Sequence, residues 1–123
     1  MLLGLGIDLV DIDRFAKSAA RPEDDFLSRF LTPTEVALCR REQPPNQSAA
    51  SLFAAKEAFS KALGTGIYGT FSFHDVEIRG GLKNPTVHLS GRAQELAEER
   101  GVTKIHLSIT VDEELAAAVV VLE

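Results

Sequence analysis

Residues 53–66 read FAAKEAFSKALGTG. Around them apolar residues recur at steps of three and four, the period of a helix face, and the run stops at a glycine. The spacing predicts a helix from about Ser48 to Leu63, with Gly64 as its C-terminal stop. On the helical wheel Leu52, Ala55, Phe59 and Leu63 share one apolar face. Phe53, Glu57 and Lys61 share a second face, and Lys56 lies to one side of it. Taken alone, Glu57 and Lys61 fit a solvent-exposed i,i+4 ion pair, worth only about 0.3–0.5 kcal/mol. Phe53, one turn earlier, argues that this face is not wholly solvated. The Gly-Thr-Gly turn that follows is a place where backbone comes close to a ligand.

Toward the N-terminus the pattern keeps its helical period. LTPTEVALCRRE has a helix start, with Thr32 as N-cap, Pro33 at the first helical position and Glu35 completing a capping box. Pro44 and Pro45 end that helix. RPEDD, residues 21–25, reads as a turn into a short helix holding Phe26, Leu27 and Phe30. Ile12, Phe15, Ala16 and Ala19 make a helical stripe that turns Arg14, Lys17 and Arg21 outward, with Phe15 toward the core. A strand from about Leu2 to Asp8 opens the chain, and Asp11 is a plausible cap for the helix after it.

Toward the C-terminus the period changes to two. Phe71 to Ile78 alternates as a strand, LKNPTVHLSG is a second strand, and GRAQELAEERG is a helix bounded by glycines. KIHLSITVDEELAAAVVVLE reads as two strands joined near Asp112 to Glu114, because β-branched residues follow the alanines at once. Strand, helices, then mostly strands is an α+β order, and residues 1–123 show no repeat or linker that would divide them.

Composition narrows the class. Of 123 residues, 45% are hydrophobic and 25% charged, which suits one globular core. The net charge of −5 argues against a dedicated nucleic-acid binder. No apolar run nears the roughly 20 residues that cross a bilayer, and the N-terminus lacks the pattern of a signal peptide. The single Cys39 cannot form an internal disulfide, so a reducing, cytoplasmic setting is expected, with Cys39 as a helix residue rather than a nucleophile.

Asp8 is left without an obvious structural duty, since Asp11 serves as the cap. Two carboxylates from separate elements, Asp8 and Glu57, with lysines beside them, suit Mg²⁺ and a phosphate group. The metal takes hard oxygens, and lysine supplies a point charge for phosphate. GIDLVDIDRF and FAAKEAFSKALGTGI resemble the two signature motifs of the holo-acyl-carrier-protein synthases, the small bacterial 4′-phosphopantetheinyl transferases. RFLTPTE, FSFHDVEI, NPTVHLSG and IHLSIT follow in the expected order, so the likeness spans the chain.

The resemblance implies a 4′-phosphopantetheinyl transferase-like α+β fold, an antiparallel sheet with packed helices, assembled as a homotrimer with sites between subunits. It implies transfer of 4′-phosphopantetheine from coenzyme A to a serine of apo acyl carrier protein, in fatty-acid or polyketide biosynthesis, releasing adenosine 3′,5′-bisphosphate. Asp8 and Glu57 match the Mg²⁺ ligands and Lys61 the lysine that meets the phosphates. Glu57, directly or through a metal-bound water, is the candidate base. Phe53, Ser60, Lys61, Gly64, Gly66, Lys83, Pro85, His106 and Ser108 are the expected coenzyme A contacts, and Arg14, Lys17 and Arg21 the expected carrier-protein dock. His74 and His88 are expected at the surface, and no His/Cys spacing points to zinc.

Three places depart from many relatives: Leu52 stands where they have arginine, Val111 where they have histidine, and Lys83-Asn84-Pro85 where a Gly-Lys-Pro turn is common. Arg40 and Arg41 are the candidate substitutes for the lost cation. The departures at Leu52 and Val111 motivate a rival reading, a coenzyme A or carrier-binding module without turnover. A Mg²⁺-dependent hydrolase of coenzyme A is a third.

Overall fold

A computed structural model describes residues 1–19, 26–42 and 44–123. The chain runs β1 (Gly4–Asp11), α1 (Ile12–Ala19), a 3-10 turn (Leu27–Arg29), α2 (Pro33–Arg41) and α3 (Pro45–Leu63). A second 3-10 turn (Phe73–Asp75), β2 (Val76–Arg79), β3 (Thr86–Leu89), α4 (Gly91–Glu99), β4 (Ile105–Val111) and β5 (Leu115–Leu122) complete it. Two antiparallel sheets result, one of order β1-β5-β4 and the other the β2-β3 pair.

The α+β expectation holds, and α3 is its axis. Leu52, Ala55, Phe59 and Leu63 are buried as the wheel requires. The helix is buried on its other sides too, because its many alanines and serines let neighbours close in all round. Against the sheet the contact is backbone to backbone. A methyl group on Gly4 would collide with the Ala62 carbonyl, and one on Gly6 with the Ala58 carbonyl. The next residue on that inner face of β1 is Asp8, which pairs across the ladder with Ala118. The two glycines thus seat α3 on β1 and bring the carboxylate of Asp8 to the helix.

Caps appear where the residues promised them. The Thr32 hydroxyl accepts from the Glu35 N–H at 3.3 Å, and Glu35 Oε1 accepts from the Thr32 N–H at 2.8 Å. Asp11 Oδ1 accepts from the Arg14 N–H at 3.1 Å, capping α1. Asp112 Oδ1 accepts from the Glu114 and Leu115 N–H groups, closing the β4–β5 hairpin where the break was expected.

Three boundaries differ. β1 continues to Asp11, because Leu9, Val10 and Asp11 still pair with Ala117, Ala116 and Leu115; Asp8 therefore lies within the strand, not at its end. α3 begins at Pro45, three residues early. Pro44 is extended and Pro45 sits at the first helical position, where a missing N–H costs nothing, so the prolines that stop α2 also start α3. Phe71 to Phe73 is not strand. Ser72 caps the second 3-10 turn, and both rings turn into the core, Phe71 against Phe59 at 5.9 Å and Phe73 against Phe53 at 5.7 Å. The 21–25 turn, including Arg21, lies outside the described residues.

Candidate active site

The row Gly4, Gly6, Asp8 on β1 runs beside α3 and ends at the helix face that carries Glu57 and Lys61. Lys61 Nζ donates to Asp8 Oδ1 at 2.9 Å and to the Ile7 carbonyl at 3.1 Å. Asp8 is 16% exposed and Lys61 54%, so the pair sits at a cleft mouth, half in water. Glu57 is half-buried one turn back. Burial first, and then the negative charge of Asp8, push its carboxyl above the usual glutamate range, while Lys61 opposes the shift. Glu57 and Lys61 are therefore not the plain surface ion pair that their spacing alone allowed.

Asp8 and Glu57 line a cleft of about 390 Å³ with Arg14, Phe15, Phe26 and Phe53, and Lys61 joins it through its bond to Asp8. Phe53 is the centre of its aromatic wall, packed on Phe15, Phe30 and Phe73 at 5.8, 5.1 and 5.7 Å between ring centroids. Among the described residues no third His, Cys, Asp or Glu joins the two carboxylates in a group fit to hold a metal ion. Two carboxylates fit Mg²⁺ nonetheless, since that ion keeps waters and takes phosphate oxygens for the rest of its octahedron.

The other expected contacts are dispersed. Gly64 ends α3 in the left-handed conformation at φ 84°, and Gly66 follows at φ 71° with open space where a side chain would be. Ser60 is 1% exposed, and its hydroxyl donates to the Glu57 carbonyl at 2.7 Å, inside the helix packing. Exposed Lys83 lies in a second cleft, of about 780 Å³, with Gly80, Gly81, Thr110 and Val111; Pro85, two residues on, is half-buried. His106 and Ser108 are exposed on the outer face of β4, on the opposite side of the sheet from Asp8, and His106 Nε2 stands 3.6 Å from Glu123 Oε2.

Leu52 is wholly buried, so no charge is missing from the surface at that position, while Arg40 and Arg41 are exposed at the end of α2. His74 and His88 are exposed as expected; His74 Nε2 lies 2.6 Å from the Ser28 carbonyl, and His88 pairs with Thr86. Cys39 is buried in α2 and its thiol is pushed up to about 12, chiefly by burial, which leaves it inert as a nucleophile.

Two residues carry more than their spacing showed. Lys56 does not lie beside the exposed row; it is wholly buried and paired with Glu35 at 2.7 Å. A signal was present. Leu52, Phe53, Phe59 and Ser60, the neighbours of Lys56 at three and four residues, leave its ammonium no path to water.

The 4′-phosphopantetheinyl transferase superfamily pattern matches residues 4–120. An α+β chain matched over that span is of this class, and it belongs to that superfamily. The holo-[acyl-carrier-protein] synthase of Syntrophus aciditrophicus is 41% identical, over all of this chain and 97% of its own length. The crystal structure of the synthase from Neisseria meningitidis superposes with a TM-score of 0.89 at 35% identity, covering 100% of this chain and 99% of that one. That from Helicobacter pylori, in complex with coenzyme A, gives 0.83 at 40% identity, covering 97% and 99%. The chain is an enzyme, a phosphopantetheinyl transferase of the holo-[acyl-carrier-protein] synthase type.

Proposed function

We propose that this enzyme moves 4′-phosphopantetheine from coenzyme A to a serine hydroxyl of an acyl carrier protein, with Mg²⁺ held by Asp8 and Glu57. The observation that carries this is that Asp8 and Glu57, from elements far apart in the chain, line one cleft, with Lys61 bonded to Asp8. A bond forms between the serine oxygen and the phosphorus, and the phosphorus–oxygen bond to adenosine 3′,5′-bisphosphate breaks. Glu57 takes the serine's proton, directly or through a water. Held by Asp8 and Glu57, Mg²⁺ would neutralise diphosphate charge and so ease departure of the bisphosphate. Lys61, which pairs with Asp8 in the free protein, turns to the phosphate oxygens as charge grows there.

Coenzyme A lies along the end of α3, by Lys61, Gly64 and Gly66, with Phe53 beside the transferring end. Lys83, Pro85, His106 and Ser108 come from a neighbouring subunit of a homotrimer. Two features support that assembly. Leu5, Ile7 and Leu9 stand 63%, 66% and 62% exposed in a row on the outer face of β1, a patch that monomers rarely leave in water. Through Val121 and Val119 the same face continues to His106 and Ser108, so a subunit that covers the stripe also meets those two residues. Arg14 and Lys17, exposed on α1 beside the cleft, dock the acidic carrier, with Arg21 of the same segment. The setting is fatty-acid or polyketide synthesis in the cytoplasm; among the described residues no helix is long and apolar enough to cross a membrane.

One assay separates this reading from its rivals. The protein is mixed with Mg²⁺, coenzyme A and an apo acyl carrier protein, and the carrier is weighed. A phosphopantetheine mass gain is expected. Binding without modification would make the chain a module, and coenzyme A cleavage with an unchanged carrier would make it a hydrolase.

A further inference from the structure

The sealed pair Lys56–Glu35 has no part in the chemistry just described, although Lys56 is the residue before Glu57. Lys56 Nζ donates to Glu35 Oε1 at 2.7 Å, to the Phe30 carbonyl at 2.7 Å and to the Phe73 carbonyl at 3.0 Å, which uses all its protons. Glu35 Oε1 accepts from the Thr32 N–H, and Oε2 from the Ile78 N–H at 2.7 Å. Both side chains are 0% exposed. A buried ion pair is a poor source of stability, because apolar residues of like size often do as well or better. An ammonium has one property they lack: it gathers three acceptors from three segments at one point.

The segments gathered here are informative. Phe30 closes the 3-10 turn before α2, and Phe73 opens the one before β2. Neither carbonyl belongs to a sheet ladder, and the lysine bonds both turns to α3. Both residues place their rings on Phe53, the aromatic wall of the Asp8–Glu57 cleft. The far side of Phe73 meets Tyr68, the only tyrosine of a chain without tryptophan, at 5.9 Å.

We propose that Lys56 and Glu35 are positioning residues for the transfer: by clamping the Phe30 and Phe73 carbonyls they hold the Phe53 wall against the carboxylates of the cleft. This rests on the reading of that cleft as the place of transfer. A purely structural pair would show itself in melting temperature alone. A positioning pair shows itself in turnover after stability has been restored.

The test compares the unsubstituted enzyme with the double variant Lys56→Met/Glu35→Gln, which removes both charges while the new amide still serves the Thr32 or Ile78 N–H. A second variant, Phe73→Leu, trims the wall and leaves the pair intact. For both, kcat should fall about tenfold while the dissociation constant of coenzyme A, measured calorimetrically, stays within about twofold. The near-ultraviolet circular dichroism of Tyr68 should weaken in both, since its packing on the side chain at position 73 loosens. A folded double variant with undiminished kcat would overturn the inference. If the double variant does not fold, Phe73→Leu decides: undiminished kcat there overturns it equally. An unsubstituted enzyme that leaves the carrier unmodified would overturn the transfer reading, and this inference with it.

Discussion

Glu57 is under two influences that act together. Packing withdraws it from water, and Asp8 adds a second negative charge beside it. Its proton affinity is raised in the folded state, so the native protein still holds the proton at pH values where the unfolded chain has lost it. Stability of the metal-free protein therefore falls as pH rises from the ordinary glutamate value, about 4.3, through the raised one. Glu57→Gln removes that penalty. In chelator at neutral pH the variant should melt a few degrees above the unsubstituted protein by calorimetry, and in the transfer assay it should be inactive. A lower melting temperature would mean that the ionised carboxylate is favourably held. Asp8→Ala should also fold and fail to turn over, since two carboxylates are proposed to share one ion. A folded, active Asp8→Ala enzyme would end the shared-ion account. Asp8, Glu57 and Lys61 were legible because their types and spacing match a chemistry. The neighbours of Lys56 hinted at its burial, but its pairing with Glu35 was not legible, because a partner comes from a segment that no local spacing describes.

The contact of β1 with α3 is set by what Gly4 and Gly6 lack. A side chain at either would strike backbone, and backbone cannot rotate away. Gly6→Ala should push α3 off the sheet, cost about 3 kcal/mol or more in denaturant unfolding, and abolish transfer by separating Asp8 from Glu57 and Lys61. Near-normal stability with near-normal turnover would show that the helix can shift at no cost. Elements were legible wherever a period or cap announced them: α2 through its capping box, α3 through its wheel, the β4–β5 hairpin through its acidic break. Boundaries were misread where a residue has two uses. Pro45 can end one helix or begin another, and the phenylalanines at 71 and 73 alternate in sequence because both are core, not because both are strand.

Assembly belongs to the whole molecule. Ile7 stands in the middle of the outer apolar row, and a carboxylate there would have to be desolvated at any interface the row makes. Ile7→Asp should leave a folded monomer by sedimentation and reduce turnover strongly, because His106 and Ser108 would no longer reach a neighbour's site. An unsubstituted protein that is monomeric and active would remove the shared site. The carrier dock is tested by Arg14→Glu. It should raise KM for the carrier while leaving that for coenzyme A nearly unchanged, and salt should weaken the native enzyme mainly through the carrier. Equal losses for both substrates would point to the cleft rather than to docking.

The ladder that joins β1 to β5 has a consequence in time. Ile7 lies opposite Val119, so nearly the whole chain separates a strand from the neighbour it pairs with in the sheet. A ribosome delivers β1 first and β5 last. Until then the strand that carries Asp8 lacks this ladder, and the sheet on which α3 rests is without its central strand. Local pieces such as the β4–β5 hairpin close over short loops; this pairing must close over the longest loop in the domain. The sheet that backs the carboxylates is therefore complete only after β5 has been made. A nascent chain arrested before Leu115 should be protease-sensitive throughout β1, and one released past Leu122 should be protected there.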